Sequence, residues 1–177
     1  VLLGPKKQKL QLLLENEISL LAYHLPLDAH QTVGNNWKVA RDLDLTNLKA
    51  FGSIGTNKIG VKAQIKPTLV EDFQTKLETY YEHVAHTALG GKKHIASVAI
   101  VSGGAHWMIE QAIQEGMDCF VTGSFDEPIW DLAYENEIHF FALGHFSTEK
   151  VGIQSLKQIT TKHFDIPTDF INLFNPF

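Results

Sequence analysis

Apolar and polar positions change period along the chain, and each change marks an element. Residues 5–16, PKKQKLQLLLEN, read as a basic amphipathic helix beginning after Pro5. The next stretch, EISLLAYHL, is an apolar run of strand length stopped by Pro26. LDAHQTVGNN then reads as a loop and NWKVARDLDL as a helix. Between 47 and 66, glycines interrupt an alternating pattern, which predicts short strands or a hairpin. Pro67 opens a predicted long helix, TLVEDFQTKLETYYEHVAHTAL, in which Leu69, Val70, Phe73, Leu77, Tyr80, Tyr81 and Val84 recur at helical spacing. Gly90 and Gly91 end it.

Beyond residue 94 the pattern becomes regular. IASVAIVSGG is a strand with a glycine turn, and AHWMIEQAIQEG is a helix closed by Gly116. Strand DCFVTG, helix DEPIWDLAYENE, strand IHFFALG and helix STEKVGIQSLKQITTK follow, and DFINLF reads as a last strand. Strands and helices alternating at this spacing predict βαβ units. The expected class is therefore α/β, with mainly parallel sheet and flanking helices in a single domain over 1–177.

Composition narrows the function classes. Hydrophobic residues make up 44% and charged residues 20%, as in an ordinary globular domain, and the net charge is -5. Mild acidity argues against broad phosphate-backbone binding and leaves no strong nucleic-acid signal, although a local basic patch stays open. Cys119 is the sole cysteine, which excludes an intrachain disulfide and fits a reducing cytoplasm. No apolar run reaches the roughly 18 residues a membrane span needs, and no signal-peptide pattern opens the chain. P-loop, nucleophile-elbow and Cys/His zinc-module patterns are all missing from the sequence.

Sites in open parallel sheets lie where strands end at their carboxyl edge. That rule selects three loops here: YHLPLDAH, SGGAH and GHFSTE. In GHFSTE, His145 and Glu149 stand four residues apart, on one face of a helix. Imidazole plus carboxylate suits zinc, iron or manganese. A first-turn glutamate facing the helix dipole, beside a packed or exposed histidine, is the plainer account. Asp28 follows its run at Leu-Pro-Leu, between His24 and His30, and reads equally as a loop cap or a ligand. His24 lies inside the apolar run, so a hydrogen-bonded core histidine is expected. Gly103-Gly104 reads as a tight turn before a helix, or as a seat for an anion. His106, Trp107 and Trp130 read as core or interface residues, and Lys92-Lys93 as a solvated turn.

Taken together and in order, YHLPLDAH, VGNN, GMDCFVTG and ALGHFSTEKVGIQSL resemble the GTP cyclohydrolase I type 2-like family, also called Nif-three-like. INLFNPF adds an echo at the end, and the likeness covers nearly the whole chain. The resemblance implies an α/β fold around a cavity with a dinuclear divalent-metal site, in a homo-oligomer that is typically a hexamer. By motif match, Asp28, His145 and Glu149 fall on metal-binding positions, with Glu149 as the bridging carboxylate.

Two departures stand out. The family's paired histidines would fall before Val1, so the chain reads as a fragment lacking the N-terminal segment. Thr122-Gly123-Ser124 stands where many members have Thr-Gly-Glu. Three protein ligands suffice for one catalytic-type ion, so one or two ions are expected. The activity implied is a metal-dependent hydrolase acting on a nucleotide or related small molecule. His24 would then be a catalytic residue that orients a ligand or shuttles a proton. A non-catalytic metal-binding or protein-interaction role is the alternative.

Overall fold

The computed structural model describes residues 1–173 and Asn175. The basic segment forms α1 (Gly4–Glu15), and none of its residues is buried. The apolar run after it is not the expected strand. Residues 18–23 lie outside helix and strand, and Ile18, Leu20, Leu21 and Tyr23 are exposed. An apolar run becomes a strand only where a sheet offers it a ladder, and residues 18–23 pair with none of the described strands. The chain instead enters α2 (His24–Ala29), then α3 (Asn35–Asp42).

The glycine-punctuated stretch does fold into a hairpin, β1 (Thr46–Ile54) and β2 (Asn57–Leu69). Its two-residue turn is Gly55-Thr56, and Gly55 takes φ +58, which glycine adopts without strain. β2 runs through Pro67, which lacks the N–H a ladder uses. The β2 register is irregular between Gln64 and Thr68, so the proline sits where the pairing is already broken.

The expected long helix is thus three elements. After β2 comes α4 (Val70–Tyr81), stopped by Glu82 at φ +54, and then β3 (His86–Leu89). The remainder alternates as expected: β4 (His94–Ile100), a 3-10 turn (His106–Met108), α5 (Ile109–Gln114) and β5 (Cys119–Thr122). It closes with α6 (Pro128–Glu135), β6 (His139–Ala142) and α7 (His145–Phe164). Of the expected last strand, residues 169–173 are in neither helix nor strand, and residue 174 lies outside the described residues.

The α/β class holds. The six described strands form one sheet in the order β1-β2-β4-β5-β6-β3. Parallel pairing is confined to β4–β5 and β5–β6, while β1–β2, β2–β4 and β3–β6 are antiparallel. Helices cover both faces, so the central strands carry continuous apolar runs, at residues 98–101, 119–121 and 140–142, rather than alternating with polar residues. Val98, Ile100, Val121 and Phe141 face a core shared with α3, α4 and α7. Their neighbours Ala99, Val101, Phe120 and Phe140 face a second core under α5 and α6. Cys119 is buried, and burial together with nearby Asp118 pushes its thiol pKa up, as suits a packing residue. No described helix is long and apolar enough to cross a membrane.

Candidate metal centre

The parallel strands fix where the chemistry collects. β4, β5 and β6 end side by side, and each feeds a loop whose glycine keeps the neighbouring loop close. After β6, Gly144 at φ +83 turns the chain into α7, with His145 at its first position and Glu149 one turn later. His145 Nε2 lies 3.2 Å from Glu149 Oε1. After β4, Gly103 at φ +72 passes so close that an added Cβ would lie 2.2 Å from Glu149 Oε1. Its N–H donates to Thr148 Oγ1 at 3.0 Å, which ties the two loops together. The Gly103-Gly104 pair therefore makes a turn that clears space for a carboxylate.

Asp28 reaches the same edge from α2. It is only 4% exposed, and a carboxylate that deep needs partners. Its Oδ1 accepts hydrogen bonds from Asn35 Nδ2 at 2.7 Å and Ser102 Oγ at 3.0 Å. Asn35 Oδ1 in turn accepts from Gly152 N–H at 2.6 Å, joining α3 to α7. Asn36 Oδ1 accepts from Ser102 N–H at 2.7 Å, and its amide donates to Ile59 O at 2.8 Å. Asp28 Oδ2 is left facing His24 Nε2, 4.0 Å away.

His24 is not the core histidine its apolar surroundings predict. It begins α2 with its side chain 73% exposed, and Nε2 lies 3.7 Å from Glu149 Oε1. His24, Asp28 and Glu149 each offer a ligand atom, all within 4.8 Å of one another, and His145 adjoins them through Glu149. Donors around a tetrahedral ion bound at about 2.1 Å stand roughly 3.4 Å apart. The His24–Glu149 and His24–Asp28 gaps of 3.7 and 4.0 Å lie near that value; His145 stands 3.2 Å from Glu149 but outside the group of three, and the mixed imidazole–carboxylate chemistry suits zinc, iron or manganese.

His30 does not join the group. Its Nδ1 accepts the N–H groups of Thr32 and Val33, at 3.1 and 3.3 Å, and shapes the loop. Trp107 and Trp130 are about half exposed rather than core. Asn35, Asn36 and Ser102, which aim Asp28, were not legible as site residues. The Asn-Asn pair after Gly34 reads locally as helix-start chemistry, because asparagine favours helix ends over interiors, and nothing in the sequence marks Ser102.

The family description Duf34/NIF3 (NGG1p interacting factor 3) matches residues 2–175. The chain belongs to the Duf34/NIF3 family. A "GTP cyclohydrolase 1 type 2 homolog" from Chlamydia trachomatis serovar D is 49% identical to this NIF3 chain over 171 residues, spanning 96% of it and 68% of the relative. Among solved structures, the ybgI protein, described as of unknown function, aligns with a TM-score of 0.89 at 31% identity, over 100% of this chain and 70% of its own. TTHA1606 from Thermus thermophilus aligns with a TM-score of 0.90 at 27% identity, over 99% and 69%.

Proposed function

We propose that this NIF3 chain binds zinc, iron or manganese through Asp28, His145 and Glu149, with His24 beside them. We further propose that it is a metal-dependent hydrolase acting on a nucleotide or related small molecule, working in the cytoplasm. The observation that carries the reading is the convergence of His24, Asp28 and Glu149 donor atoms within 4.8 Å, at an edge where parallel strands end. A bound divalent ion would lower the pKa of a water and supply hydroxide near neutral pH. The chain's own residues would do the rest. Asn35 and Ser102 hold Asp28 Oδ1, which aims Oδ2 inward. Glu149 has two carboxylate oxygens and could bridge a pair of ions. The exposed ring of His24 could pass a proton to solvent. The cyclohydrolase name of the relatives makes GTP the first nucleotide to test.

Elemental mass spectrometry on tag-free protein purified without chelator tests the centre. One or two ions per chain are expected, falling to a small fraction in His145→Ala. No metal in either protein would sink the reading. Turnover of a nucleotide panel by the loaded protein, absent in Glu149→Ala, separates hydrolase from binder.

A second reading, a non-catalytic interaction role, draws support from the apolar residues left uncovered at the start of the chain. Leu12, Leu14, Leu20 and Leu21 are each more than half exposed. The family description also names an interacting factor. Self-association, as a hexamer, would cover such a surface. Sedimentation equilibrium should return a multiple of the monomer mass, and a monomer at micromolar concentration would rule that assembly out.

A further inference from the structure

The loops after β4 and β5 hold another group of reactive side chains, next to the metal donors but built from different residues. His106 opens the 3-10 turn after β4, and Ser124 stands two residues beyond the end of β5. The two strands are parallel neighbours, and Gly123 N–H donates to Gly103 O at 3.0 Å, which holds the loops together. Ser124 Oγ lies 2.8 Å from His106 Nδ1. On the other side of the ring, Nε2 lies 3.9 Å from Asp126 Oδ2. Asp126 is itself anchored, because its Oδ1 accepts Glu127 N–H at 2.9 Å.

With the hydrogen on Nε2, the side that faces Asp126 across 3.9 Å, Nδ1 keeps its lone pair. The Ser124 hydroxyl then donates to Nδ1, and the imidazole is placed to take its proton. A hydroxyl within 2.6–3.2 Å of a base that a third group orients is the arrangement of an activated nucleophile. Here the roles of the two ring nitrogens are exchanged relative to the familiar serine triad, and geometry rather than order defines the set. His106 and Ser124 are both half-buried, shielded yet within reach of a small molecule. Phe125 and Trp107, the residues that follow them, are exposed and offer apolar surface at the same edge.

We propose that Ser124 is a nucleophile for acyl transfer from small carboxylic esters, with His106 as its base and Asp126 as the group that orients His106. Oγ bonds to the ester carbon as its proton moves to Nδ1. The ester C–O bond then breaks, and the departing alkoxide takes that proton, leaving an acyl-serine. Water repeats the sequence in reverse and releases the acid. No step uses the metal centre, so this site stands or falls separately from it.

Diisopropyl fluorophosphate is the probe. Serine oxygen bonds to phosphorus, fluoride leaves, and the serine proton passes through His106 to solvent. The full chain is treated in the presence of EDTA and again after metal loading, and the adduct is mapped by tandem mass spectrometry. The expected result is a single adduct on Ser124 in both conditions. Ser124→Ala should give none, and His106→Gln should label about 100-fold more slowly, the usual worth of a general base. Asp126→Asn should slow labelling by a smaller factor. An unlabelled wild-type chain, or an adduct on another residue, overturns the proposal without reference to any variant. So does a His106→Gln chain of unchanged melting temperature that labels as fast as wild type.

Discussion

Replacing Gly103 with alanine is expected to strip the metal from a chain that still folds. Two features of the position combine. Gly103 sits at φ +72, where alanine is strained, and its missing Cβ leaves room for Glu149 Oε1, which an added methyl would meet at 2.2 Å. His145 Nε2 would be 3.1 Å from the same atom. The strain alone costs about 1–2 kcal/mol, or a few degrees of melting temperature in a domain of this size. What stands in the way is the tip of a flexible side chain rather than backbone, so Glu149 swings aside and the fold is kept. The proposed donor set then loses a carboxylate. Metal affinity, read by titration with zinc, should fall by at least about 10-fold, the size of a displaced supporting contact. Gly104→Ala is the natural comparison, because its Cβ would meet His145 Cε1 at an ordinary 3.4 Å. It should keep the metal. If Gly103→Ala binds zinc as tightly as wild type, Glu149 is not a ligand.

How much of this was legible in the sequence depends on what held each element. From His94 to Phe164, strand and helix alternate because both sheet faces are covered, and the apolar period records that directly. Residues 17–25 carry the same apolar signal without the ladder, and no local pattern distinguishes a strand from an exposed run waiting for a partner. The 67–89 stretch was misread for a different reason. Apolar residues of α4 keep helical spacing, but β3 is four residues long and draws its stability from pairing with β6, 50 or so positions away. Proline inside β2 was legible only as a break, since the register irregularity that admits it is a tertiary feature.

The site shows the same division. His145 and Glu149 could be placed on one helix face because four residues is about one turn, and the family resemblance then made them candidate ligands. Asp28 was legible as a candidate ligand only through the family resemblance, since its position alone reads equally as a loop cap, and its aim depends on Asn35 and Ser102, 7 and 74 residues away. His24 reads as core in the sequence because its neighbours are apolar, yet those neighbours are themselves exposed. The pairing of His106 with Ser124 spans 18 residues, with α5 and β5 between them, and arises only because β4 and β5 lie parallel and adjacent.

Phe141→Ala should have the opposite signature to Gly103→Ala: a large loss of stability with the metal donors unmoved. Phe141 is fully buried on β6, inside the core shared with α3, α4 and α7. Its ring meets Phe73 of α4 edge to face, with centroids 6.0 Å apart and planes at 80°. Edge-to-face pairs gain from the aromatic quadrupole beyond the area they bury. Truncation removes that contact and opens a cavity between a central strand and a helix, and neither can close it without breaking sheet pairing. Phenylalanine-to-alanine changes in such cores cost about 3–5 kcal/mol. At roughly 2–4 °C per kcal/mol, the melting temperature should drop by about 6–20 °C. Phe125→Ala, at a 43% exposed position, should cost far less. A Phe141→Ala loss below about 1 kcal/mol would mean that α4 resettles onto the sheet and that Phe73 does not fix its place. At a temperature where Phe141→Ala is folded, zinc should still bind, because β6 still ends at Gly144 and delivers His145 to the same edge. A variant that lost both stability and zinc would instead show that the donor geometry depends on the packing of the core beneath it.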